Sequence, residues 1–110
     1  MKLINLLFES KKKHETLETF AGTRETGAKK IADSSHEKGG LSLLTWQHFK
    51  VKLPYYKKAS NGKFDVSDAQ KEFDSTFKKI STKMSQTEFQ REVGRLEVLG
   101  ELIIRYQQGK

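Results

Sequence analysis

No cysteine occurs in this chain, which excludes a disulfide scaffold, a Cys-ligated zinc site and a thiol nucleophile, and fits a reducing compartment. No stretch approaches the roughly 20 apolar residues that span a bilayer, so no membrane partner is expected. Apolar residues make up only 35% of the 110 positions. That is a lean supply for a single modest core, and part of the chain is expected to stay outside it. Neither an alternating strand pattern nor an internal repeat is present. The three histidines, His14, His36 and His48, are far apart and lack ligand-like spacing, so no metal or other cofactor is expected. His48 reads as a helix-surface or core-edge residue.

What is present begins with "MKLINLLFES KKKH". The apolar run Leu3 to Phe8 is interrupted by Asn5, is shorter than the hydrophobic region of a secretory signal, and meets Glu9 and three lysines instead of a small-residue cleavage site, so it does not read as an export signal. As a helix it would put Leu3, Ile4, Leu7 and Phe8 on one side, which makes it a short amphipathic segment in need of a surface. Residues 10–40 carry few large apolar groups and end in "GG". They read as a mobile arm with one weak helix around Leu17 to Ala21.

From Leu41 the composition changes. "LSLLTWQHFKVKLPYYKKAS" is apolar and aromatic, with Ser42 or Thr45 as a helix cap. Pro54 should kink this helix or restart it, with the proline in a first turn. After the turn signal "SNGK", Val66, Ala69, Phe73, Phe77 and Ile80 recur at helical spacing, with Asp65 or Ser67 near the cap. "SQTE" at 85–88 is a capping box. It opens a helix with Phe89, Val93, Leu96, Leu99, Ile103 and Tyr106 on one side, and Gly100 on that side reads as a close helix crossing. The expected fold is all-α: a bundle of three or four helices over about 41–108, preceded by a polar, partly disordered arm.

Charge is unevenly placed. The formal net charge is +7, and most of it lies between Leu41 and Lys63, where Lys50, Lys52, Lys57, Lys58 and Lys63 occur with no acid. They are interleaved with Trp46, His48, Phe49, Tyr55 and Tyr56. Lysines that neutralise phosphates release counterions, and aromatic faces stack on bases, so this composition suits a nucleic-acid surface. The spacing of Trp46, Phe49, Leu53 and Tyr56 is that of one helical face, however, and assigns those four to a core. With no helix-turn-helix, zinc-finger, RNP or KH signature, DNA contact through the five lysines is expected to be non-specific.

Catalytic patterns are nearly missing. "GTRETGAK", Gly22 to Lys29, has the glycine spacing of a phosphate loop, but Ala28 stands where the lysine belongs and no apolar strand precedes it. The pairs Glu97/Glu101 and Asp68/Glu72 read as charged outer faces of helices. The chain is not expected to be an enzyme.

The opening segment resembles the targeting propeptide of the internal head proteins of T-even-type tailed phages. Those propeptides begin Met-Lys, run for about ten residues and end in a Leu- or Ile-x-Glu prohead-protease site. Leu7-Phe8-Glu9 stands at that distance, followed by the small residue Ser10. The resemblance covers about a tenth of the chain. It implies cleavage after Glu9, partnership with a prohead protease and with the scaffold or capsid core, packaging with DNA in the virion interior, and ejection into the host cytoplasm. "WQHFKVKLPYYKK" and "GRLEVLGELII" are similar to small phage-encoded proteins of unknown function, which imply no activity. A well-patterned helical domain is more than packaging requires and suggests a second role on a host protein. Two alternatives stand beside this reading: a cytosolic nucleic-acid-binding module and a protein-interaction module, both uncleaved, with Leu3 to Phe8 as an ordinary first helix.

Overall fold

The structure is a computed structural model that describes residues 16–34, 39–80 and 83–108. The proposed leader, its Leu7-Phe8-Glu9-Ser10 junction, His14 and His36 lie outside the described residues. Four helices and no strand are found among those described, so the chain is a small all-α bundle. They are α1 (Leu17–Asp33), α2 (Leu43–Ser60), α3 (Val66–Lys79) and α4 (Gln86–Gln108).

Helix α1 corrects the expected mobile arm. Thr16 caps it by accepting a hydrogen bond from the Thr19 amide at 3.1 Å, and Phe20, Ala21, Ala28 and Ala32 are buried. Phe20, Ala21 and Ala28 share one core cluster with Tyr56 and Ala59 of α2 and with Val98 and Leu102 of α4. The folded unit therefore takes in residues 17–33, well before the expected start at 41. Alanines made this helix hard to read: each buries little area, but alanine is the best helix former and lets a neighbouring helix approach closely. Ala21 and Ala59 are both fully buried.

Ser42 caps α2, accepting from the Thr45 amide at 3.2 Å. The helix continues through Pro54 without a restart. The proline removes the amide that would have bonded the Lys50 carbonyl, and both residues are exposed, which leaves that carbonyl within reach of water. Gly62, at φ 74°, closes the helix in the left-handed region that glycine tolerates best. Its amide bonds the Ala59 carbonyl.

Asp65 caps α3 through the Ser67 and Asp68 amides at 2.8 and 3.1 Å. The expected buried side of α3 is partly wrong, because Phe77 is 66% exposed and Thr76 is buried. At about 100° per residue, Thr76 falls within about 20° of Ala69 whereas Phe77 falls about 80° away. In α4 the capping box is present, with the Glu88 amide donating to Ser85 Oγ at 3.1 Å and the Ser85 amide to Glu88 Oε1 at 3.3 Å. The single apolar side expected for α4 is instead two adjoining stripes. Val98 and Leu102 face the α1–α2 cluster, and Leu99 and Ile103 pack with Ala69, Val66 and Phe73 of α3 and with Phe64. Phe89, at 40% exposed, belongs to neither.

The close helix crossing lies at Gly94, not at Gly100. A Cβ on Gly94 would stand 2.4 Å from the His48 carbonyl oxygen and 2.8 Å from Val51 Cγ1, whereas one on Gly100 would meet only the Phe73 ring at 3.5 Å. Gly94→Ala should therefore lower stability by about 1–3 kcal/mol, since backbone has to move. Gly100→Ala should be neutral or raise stability by up to about 1 kcal/mol from helix propensity. Thermal unfolding of the two variants checks this contrast, and equal effects would contradict the assigned crossing.

Candidate functional site: a charged cleft between three helices

The five lysines expected to form a nucleic-acid surface are not equivalent. Lys50 is exposed, with its ammonium 4.3 Å above the Trp46 ring centroid. Lys57 and Lys58 are exposed in the last turn of α2, where the helix dipole favours cations. Lys63 is exposed just beyond it. Lys58 and Lys63 also share a small cavity of about 70 Å³ with Asp65, Asp68 and Glu72, so part of their field is offset. Lys52 is the correction: it is only 7% exposed, and its ammonium is hydrogen-bonded to the Glu97 carboxylate. A buried ammonium with that partner is not presented to a phosphate. The core reading of the aromatic stripe holds for Tyr56, which is buried, and for Phe49 and Leu53, which pack against the same cluster.

Lys52 leads to a site that the sequence did not disclose. Lys52 and Tyr56 stand one turn apart on α2, opposite Glu97 and Glu101, one turn apart on α4. Tyr56 donates to Glu101 Oε1 at 2.5 Å, and His48 Nε2 lies 3.2 Å from Glu97 Oε1. From the far side, Arg24 of α1 reaches Glu101 Oε2 at 3.2 Å. These carboxylates are therefore partners of buried groups and not the plain outer face expected of them. The same correction applies to Glu72, which accepts from the half-buried Tyr55 and lies 3.7 Å from Arg95 Nε. The two i, i+4 pairs, Lys52/Tyr56 and Glu97/Glu101, were the available signal, since each sits at the spacing that puts both members on one face.

These residues line a cleft of about 720 Å³. Phe20, Arg24, Gly27 and Ile31 of α1 form one wall, Glu97, Glu101 and Arg105 of α4 form the other, and Phe49, Lys52 and Tyr56 of α2 form the floor. The guanidinium groups of Arg24 and Arg105 lie 5.0 and 4.0 Å from the Phe20 ring centroid, a cation–π arrangement. The supposed phosphate loop, Gly22 to Lys29, lies wholly inside α1, with its amides committed to the helix. Among the described residues no group of three or more His, Cys, Asp or Glu side chains could hold a metal ion, and no helix is long and apolar enough to cross a membrane. The chain matches no protein-family model, no curated protein and no solved structure.

Electrostatics in the cleft follow from these contacts. Burial raises the Tyr56 pKa, and donation to Glu101 raises it further, so the phenol stays protonated and acts as a donor. Burial also pushes Glu97 upward, but the hydrogen bonds from Lys52 and His48 and their charge outweigh it and hold the carboxyl below its ordinary range. A carboxyl whose pKa is lowered by folding contributes stability above its unfolded value, near 4.5, and loses it as pH falls through the folded value. Glu97→Gln should cost about 1 kcal/mol near neutral pH: the Lys52 ammonium keeps its burial and loses its counter-charge, but the Glu97 side chain is 56% exposed and water screens the pair. The difference from the unmodified chain should shrink below pH 4.5. Denaturant titrations at pH 7 and at about pH 3 measure it, and a difference independent of pH would contradict the assigned partnership.

Proposed function

We propose that this is a phage-type internal virion protein: a small basic binding protein, not an enzyme, that is cut after Glu9, packaged with DNA, and ejected to act on a host protein. The observation that carries the reading is the position of Leu7-Phe8-Glu9-Ser10 in the sequence, ahead of the first described helix. Among the described residues the first helix cap is Thr16, so a cut after Glu9 removes no residue of the described core. Lys2 and Glu9 cancel, so the product would keep the net charge of +7. DNA contact, in this reading, runs through the exposed Lys50, Lys57, Lys58 and Lys63, without Lys52. It is non-specific, because nothing in the basic stretch is arranged to read base edges.

Processing is tested by co-production with the prohead protease of the parent phage and intact-mass measurement. A product beginning at Ser10 is expected, and it should disappear in Leu7→Asp, which removes an apolar anchor, and in Glu9→Gln, which removes the charge read at the cut. A chain that stays full length in mature particles would overturn the reading. For DNA, replacing Lys50, Lys57, Lys58 and Lys63 by Gln together should weaken duplex binding and reduce the log–log salt slope by about 0.9 for each phosphate that is no longer neutralised. No binding by the unmodified protein at about 50 mM salt would remove the DNA contact.

A further inference from the structure

We propose that the outer side of α2 is a track for single-stranded DNA, on which Trp46 stacks one base and Lys50 holds a neighbouring phosphate, an inference that rests on the DNA contact proposed above. With Lys52 turned into the core, the remaining lysines of α2 share a side. At about 100° per residue, Leu43, Trp46, Lys50, Pro54 and Lys57 fall within about 80° of one another, Lys58 falls about 40° beyond, and Lys52 falls on the other side of the helix. Lys50, Pro54, Lys57 and Lys58 are exposed. No acidic residue occurs in α2, and Glu97 and Glu101 of α4 are bound at Lys52 and Tyr56, away from this strip.

Trp46 departs from the aromatic stripe it was expected to join. Phe49, Leu53 and Tyr56 belong to or pack against the core cluster of α1, α2 and α4, but Trp46 belongs to neither cluster. It is partly exposed at the start of the strip, one turn from Leu43, which is 43% exposed. An indole kept out of the core and set beside lysines is what base stacking requires. The Lys50 ammonium covers one face of the ring, 4.3 Å from its centroid. That cover is the end of a flexible, exposed side chain, and a cation–π contact at an exposed site is weak. A base that takes this face leaves the ammonium at the ring's edge, where a phosphate of the same strand neutralises it. Lys57 and Lys58 follow about 10–12 Å further along the axis from Lys50 and carry the strand on. In a duplex the bases are stacked on one another and offer no face to an indole on a protein surface, whereas a single strand offers its bases in turn.

Because Trp46 is the chain's one tryptophan, its emission reads the contact directly in the full-length protein. A single-stranded oligothymidylate of about ten residues should quench that emission as binding saturates. A duplex of the same length should bind through the lysines and leave it nearly unchanged. Trp46→Leu should weaken oligothymidylate binding about tenfold, the effect of losing one base–aromatic stack, while duplex binding, which charge sets, stays within about twofold. Trp46→Phe should recover most of the loss. Bound oligothymidylate that leaves the emission unchanged, or affinities that fall equally for both DNA forms in both variants, overturns the stacking platform and leaves the lysine contact standing. Emission that shifts to the blue on phosphatidylserine vesicles, with no response to the oligonucleotide, also overturns it and assigns the strip to a membrane surface. Absence of binding by either DNA form at about 50 mM salt removes the DNA contact itself and the platform with it, so the two failures are told apart.

Discussion

The approach of α4 to α2 at Gly94 is the constraint on which the rest of the structure depends. With a Cβ there, the helices would collide at the His48 carbonyl. Without it, they come close enough for side chains a few residues further on to meet in register. Lys52 then reaches Glu97, and one turn later Tyr56 reaches Glu101, so α2 and α4 run in the same direction. Helix α3 and its two turns carry the chain back between them.

That register makes the polar groups specify the fold more than they stabilise it. Desolvating a lysine offsets most of its attraction to a carboxylate, but leaving either partner alone is costly. A slip of α4 by one residue would leave the Lys52 ammonium and the Tyr56 phenol buried and unpaired. Among the described residues no buried side-chain nitrogen or oxygen lacks a hydrogen bond, so the observed register satisfies all of them together. Arg24 extends the same network to α1, and the result is a cleft with a charged rim and a partly apolar interior.

The all-α class and the helix starts at Ser42, Asp65 and Ser85 were legible because capping is local chemistry written in three or four residues. Helix α1 was not, since a reading weighted toward large apolar groups passes over Ala21, Ala28 and Ala32, whose value lies in how closely α2 approaches. Phe77 and Thr76 exchanged roles because periodicity fixes a side only to within a residue, and packing decides the rest. The two stripes of α4 merged into one expected side for a related reason: a helix with neighbours on two flanks has no single apolar face. Lys52 reads like its basic neighbours in sequence. Only the arrival of Glu97, 45 positions later, makes it a buried residue, and no local pattern carries that information.

The central claim is that α1, α2 and α4 form one cooperative unit around this cleft, with residues 17–33 inside the fold. Native-state hydrogen exchange tests it most directly, because amides that open only with the whole domain share its full unfolding free energy. Protection at Ala21, Ala28 and Ala32 should match that at Val98, Leu99 and Leu102 and should fall in parallel with denaturant. Exchange in α1 that is orders of magnitude faster than in α4 would place α1 outside the core and contradict the account.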